Sequence, residues 1–257
     1  MEQKIKPASI QLQLAVFGIS GITIFLGTYF AVPVMIDQGI PLIISWTFWL
    51  IGPTFLNGCA VLFYYYRTER PDWKTFIKRF RLQRLTLKQA LIIFPAAVLI
   101  LILNDLLSFT IPLIENLPFY IPQSVRPELF ENPYEKVESP LDLKTFFGVE
   151  LIPENRWLIL FWIFFIVFGI FGEEMAWRGY LLPRQEAGYG KYAWLVNGMF
   201  WNIPFHLYTW SNIFSDMPMY FIIPFLSQYF KNTWMAIVIH SIMLSLAFII
   251  IVPKVIG

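Results

Sequence analysis

Glu173 and Glu174 are adjacent carboxylates at the end of a run, residues 157–171, that has no charged side chain and five phenylalanines. An acid pair there is costly near lipid, and such groups by default face an interior or a wet cavity. Arg178 follows Glu174 at the i,i+4 spacing of a helical ion pair. The chain has only two histidines, His206 and His240, and both fall in later apolar segments, with Asn202 one turn ahead of His206. A carboxylate beside a histidine can hold and deprotonate a water, then return the proton to a leaving amine. The second histidine, or Asn202, could donate a hydrogen bond to the developing oxyanion.

The same side chains leave a metal reading open. Glu173, His206 and His240 could hold a divalent ion such as zinc with a water in the fourth position. The familiar His-Glu-x-x-His helix is absent. Nucleophilic catalysis has less support, because no Gly-x-Ser-x-Gly occurs and Cys59 is remote in sequence. Asn104 and Asp105 form a separate polar pair, with Asp105 expected to be structural. Each residue alone has a plain explanation: a solvated helix end for the acids, an interhelical hydrogen bond for either histidine. The argument rests on their coincidence in successive apolar segments.

These residues must be positioned by membrane helices. The chain is 257 residues long, 57% hydrophobic and 14% charged, a composition far from that of soluble domains. A single cysteine excludes an intramolecular disulfide framework and a Cys-based zinc site. Apolar runs at about 9–36, 41–66, 90–114, 157–171, 191–210, 217–230 and 234–252 predict an all-α, polytopic transmembrane helix bundle of about seven to eight membrane helices. The 157–171 run is expected to continue helically through 173–182 until Pro183 stops it. Lys4 and Lys6 precede the first run, which reads as a retained helix and not a cleaved signal.

Residues 67–88 carry eight Lys or Arg against Glu69 and Asp72 and read as a basic cytoplasmic loop, part of which could lie as an amphipathic helix on the membrane surface. Residues 115–155 are acidic and proline-rich, and read as a lid-like loop on the opposite side. This orientation puts the N-terminus in the cytoplasm and Glu173-Glu174 near the cytoplasmic face, with the site opening to that side. The whole chain, 1–257, reads as one membrane domain with its catalytic helical core at about 90–252. Lipid and a protein or peptide are the expected partners. Nothing points to nucleic acid, and no internal repeat supports a transporter.

At these residues the chain resembles the CAAX protease and bacteriocin-processing (CPBP) family of intramembrane endopeptidases, which includes the type II CAAX prenyl endopeptidase. Glu173-Glu174-Met175-Ala176-Trp177-Arg178 matches the family's Glu-Glu-x-x-x-Arg motif. Trp201 to His206 matches the second motif, with Phe205 where many relatives have tryptophan. His240 matches the third, but Leu244 stands where an Asn or Asp would follow. The resemblance implies that Glu173, with Glu174, and His206 activate water, that His240 helps form the oxyanion site, and that Arg178 braces the acids. It also implies a substrate that could be prenylated, a bacterial cell membrane location, and either no cofactor or a divalent metal. A non-catalytic immunity or scaffold protein is the alternative, kept alive by Leu244; a small transporter is the weaker third.

Overall fold

The computed structural model describes residues 5–125 and 144–257. Helix α1 (Ile10–Asp37) starts at Ser9, whose Oγ accepts from Leu12 N at 3.2 Å, and α2 (Leu42–Glu69) runs back beside it. The chain leaves α2 through Arg70 in a left-handed conformation (φ 41°). Asp72 then caps the short α3 (Trp73–Arg79) by accepting from Thr75 N at 2.7 Å, and hydrogen bonds from the Thr75 side chain and backbone hold the exposed Asp72 carboxyl below the usual carboxylate range. A reciprocal Thr86–Gln89 capping box opens α4 (Leu87–Leu107), which is followed by α5 (Thr110–Glu115).

The next helical run, Pro153–Asn212, is a hairpin. Its first arm, α6 (residues 157–189), ends at Gly190 with φ 58°, and its second arm, α7 (residues 193–212), returns against it. Asn197 on α7 donates to Trp177 O (3.2 Å) and Gln185 Oε1 (2.7 Å), both on α6. Gln185 donates in turn to Gln13 Oε1 at 2.9 Å, which ties α1 to the hairpin. Away from water such interhelical hydrogen bonds hold helices together. The bundle closes with α8 (Met217–Phe230), α9 (Thr233–Ser245) and α10 (Ala247–Ile256), the last bent 47° from α9.

The fold is an all-α helical bundle. Among the described residues, four helical runs are long and apolar enough to cross a membrane, or five if α9 and α10 are taken together. That is fewer than the seven to eight expected from apolar segments. The segments at 157–171 and 191–210 fall in one continuous run, and α8 has 14 residues, which at 1.5 Å each is about 21 Å. Outward faces carry exposed Phe48, Phe63, Phe94 and Leu160, while Glu174, Arg178, Gln185 and Asn197 are buried. This distribution suits a lipid surround.

Two local expectations are corrected. Pro183 does not stop α6, because it falls in the first turn after a π-helical stretch, Met175–Leu181, where its missing N–H is tolerated. The apolar face of residues 67–88 is not offered to the membrane: Phe76 and Phe80 are buried in the protein, Phe80 within 5.0 Å of the Tyr65 ring. The acidic loop contains a hairpin, β1 (Thr145–Phe146) with β2 (Val149–Glu150), turned by Phe147 and Gly148, both at positive φ. Residues 126–143 of that loop lie outside the described residues.

Candidate active site

The two acids point different ways. Glu174 is fully buried, and its Oε1 receives both Arg178 Nη1 at 3.1 Å and His240 Nδ1 at 3.0 Å. The Arg178 guanidinium, also fully buried, lies 3.7 Å over the Trp201 ring and 5.5 Å from that of Trp177. Phe205 packs against Trp177 edge to face at 4.4 Å, and Phe17 stacks on its other side at 5.2 Å. This aromatic cage supports Arg178 where its Nε and Nη2 have no hydrogen-bond acceptor among the described residues.

Glu173 is half-buried and faces a cavity of about 220 Å³. Both histidines line the same cavity. His206 stands at a break in α7: a π-helical stretch, Trp201–Phe205, containing Pro204, gives way to a 3₁₀ segment, His206–Asn212. There the ring folds back so that Nδ1 lies 3.0 Å from Trp201 O. A carbonyl only accepts, so Nδ1 carries the proton and the Nε2 lone pair remains for the cavity. Tyr220 stacks on the ring at 4.5 Å, and Tyr208 flanks it at 5.5 Å. His240 packs edge-on to Trp201 at 5.3 Å.

Close helix crossing sets the height of the acids. Gly58 on α2 meets Gly172 on α6 so tightly that a Cβ at Gly58 would stand 2.8 Å from Gly172 O. A small-residue contact of this kind brings the two backbones together. It also carries Leu50, Ile51 and Thr54 of α2 into the cavity wall, so the site draws on helices before residue 90.

The structure therefore gathers Glu173, Glu174, Arg178, His206 and His240. Asn202 stands apart: its Nδ2 donates to Ile213 O at 3.0 Å, fastening the chain after the 3₁₀ segment. Asn104 joins the cavity wall, while Asp105 is exposed. Leu244 also lines the cavity; its carbonyl accepts from Trp162 Nε1 at 3.0 Å and its side chain brings no donor. Ser245 Oγ is spent on Ser241 O at 2.6 Å. Among the described residues no group of three or more His, Cys, Asp or Glu is placed to hold a metal ion. In the trio Glu173, His206 and His240 the two histidines have Nδ1 engaged, by Trp201 O and by Glu174 Oε1 respectively.

Thr209, Asn212, Asp216, Tyr208 and Tyr220 also line the cavity and were not singled out in the sequence. For all but Tyr220 the signal was the polar density of residues 206–216 between two apolar segments. This lining, with Asn104 and Trp162, lies at the end of the bundle that carries residues 117–125. Gln123 Nε2 donates to Tyr208 O at 2.9 Å, and Tyr120 packs on Trp210 at 4.9 Å. The expectation that the site opens toward the basic segment is not met: Arg81, Arg184 and Lys231 cluster at the other end, around Glu186 and Glu69.

The cavity in this helix bundle is lined by Glu173, Asp216 and both histidines, with Glu174 braced by Arg178 behind it. The family model described as Rce1-like, type II CAAX prenyl endopeptidase Rce1-like, matches residues 155–246. That segment holds all five site residues and agrees with the resemblance carried by the three motifs. No curated protein and no solved structure matched the chain.

Proposed function

We propose that the protein is an intramembrane endopeptidase in which Glu173 and His206 activate a water that attacks a peptide carbonyl. The observation that carries this reading is the opening of Glu173, His206 and His240 into one cavity while Glu174 and Arg178 are locked behind it. Glu173 and the lone pair on His206 Nε2 supply two acceptors for one water, and either can take its proton. The oxyanion forms toward His240. With Nδ1 held by Glu174 at 3.0 Å, it is Nε2 of His240 that is available to the oxyanion. The proton then passes to the leaving amine, leaving an acid and a free amine as products.

The substrate is a protein or peptide cut near its C-terminus or near the membrane, and prenylation is an open variant of that class. If the basic segment at 67–88 is cytoplasmic, the N-terminus is cytoplasmic as well and the cavity faces the opposite side. The test is cleavage of a quenched-fluorescent peptide library in proteoliposomes. Glu173→Gln and His206→Ala should each abolish cleavage in protein that remains folded in detergent; activity retained in both overturns the assignment. One observation favours a non-catalytic scaffold, the apolar Leu244 at the place of a third-motif amide. A biological phenotype left intact by Glu173→Gln would support that second reading.

A further inference from the structure

A second cavity, of about 370 Å³, lies at the opposite end of the bundle, between the segment leading into α1, the end of α2 and the far part of α6. Lys6, Tyr64, Thr68, Glu69, Tyr180 and Arg184 line it. Arg184 is buried (7% exposed) and already satisfied: Nη1 donates to Tyr180 O at 2.9 Å, Nη2 pairs with Glu69, and the guanidinium lies 3.7 Å over the Tyr180 ring. The Arg184 and Glu69 charges cancel, so Lys6 sets the sign of the lining. Ser9, Tyr64 and Tyr180 add hydroxyls to the lining, whereas Thr68 Oγ1 already donates to Tyr64 O at 2.8 Å. A donor-rich cavity with one net positive charge matches a phosphodiester, which accepts hydrogen bonds and carries one negative charge.

Its place in the fold identifies the source. Lys6 comes just before α1, and Thr68 and Glu69 close α2, so the cavity sits at the ends of two membrane-spanning helices. That is the depth of lipid headgroups. The flank toward the bilayer is apolar: Ile10, Leu14 and Phe63 are 49%, 50% and 69% exposed. Acyl chains can lie there while the headgroup turns inward. The floor is firm, because Ala8 N donates to Arg184 O at 3.1 Å and Gln185 bonds Gln13. We infer that this cavity holds the phosphodiester headgroup of an anionic phospholipid, which bridges α1 and α2 to the arm that carries Glu173.

The test is native mass spectrometry of the detergent-solubilised full chain with phosphatidylglycerol, with diacylglycerol of the same acyl chains, and with glycerol 3-phosphate. Phosphatidylglycerol adducts should survive activation, and the other two should not. Lys6→Ala should lower occupancy about fivefold, the effect of about 1 kcal/mol for one lysine near an anionic surface. Tyr180→Phe, which removes only a hydroxyl, should lower it as well, whereas Lys74→Ala on exposed α3 should leave it unchanged. Equal occupancy in wild type, Lys6→Ala and Tyr180→Phe overturns the site. Glycerol 3-phosphate bound as tightly as the lipid overturns the lipid source, and diacylglycerol retained equally overturns the headgroup. An equal loss in Lys74→Ala reduces the effect to general surface charge and overturns the inference too.

Discussion

Glu173 and Glu174 are neighbours in sequence, yet they belong to two regions built on opposite logic. On one side of α6 lies a cavity with half-buried polar groups, a broken helix and ring nitrogens left for a ligand. On the other, Glu174, Arg178, Trp177, Trp201 and Phe205 form a dense cage in which a buried acid is held by both a guanidinium and His240. Adjacent helical residues point about 100° apart, so one step along the chain separates a carboxylate that lines the cavity from one locked in an ion pair. His240 is the bridge, with one nitrogen in the cage and its ring in the cavity wall.

The sharpest break between the regions comes from substituting the two acids separately. Glu173→Gln should lower turnover by at least about 10²- to 10⁴-fold, the range for a lost general base, and leave thermal unfolding nearly unchanged. Glu174→Ala leaves Arg178 as a buried cation without its partner, which costs on the order of 3–5 kcal/mol. That variant should unfold at markedly lower temperature and lose activity as a consequence. Paired measurements of turnover and unfolding decide the matter: equal destabilisation by both substitutions would erase the distinction.

A second break acts on the crossing that holds α6 at its height. Gly58→Leu forces side-chain carbon against Gly172 O, where backbone must move. Overpacking of this kind costs about 1–3 kcal/mol, and a shift of about 1 Å at the acids is worth about 10²-fold in rate. Turnover should therefore fall more than stability does. Gly52→Leu, where a Cβ meets nothing within 4 Å, serves as the control on the same helix and should be nearly silent.

Tyr220 sharpens the cavity side. Its ring stacks on His206 at 4.5 Å and its hydroxyl lies 3.4 Å from Asp216 Oδ2. Tyr220→Ala frees the His206 ring and should cut turnover about tenfold or more, the scale of lost orientation. Tyr220→Phe retains the stack and should recover most of it. Similar rates for the two variants would show that the hydroxyl, and not the stack, matters.

Sequence reasoning reached the residues that stand out chemically and missed those that do not. Glu173, Glu174, Arg178, His206 and His240 were legible because ionisable groups in apolar runs are rare and expensive. Which acid faces the cavity was not legible, since it depends on the rotation of α6 fixed by the Gly58–Gly172 crossing. Asn202 was assigned by helical spacing to the face of His206, but the π-helical stretch at Trp201–Phe205 changes that spacing and sends its amide to Ile213. Tyr208 and Tyr220 were passed over because tyrosine near the end of an apolar segment is ordinary in membrane proteins. The direction of the cavity was hidden for a related reason: loop charge speaks to orientation and carries no information on where helices part.

The smallest expected effect concerns Leu244. It stands one turn after His240, lines the same cavity, and brings an apolar side chain where an amide could donate. If the oxyanion forms between these positions, Leu244→Asn adds a donor aimed at the charge that develops, and one such donor is worth up to about 10²- to 10³-fold when fully aligned. Alignment is only partial in this cavity, because the Leu244 carbonyl is fixed by Trp162 and sets where the new side chain can reach. A rise in kcat of several-fold with little change in KM is therefore expected. A rate that is unchanged or lower would move the oxyanion site toward the other polar wall of the cavity, where Thr209 and Asn212 stand beside His206.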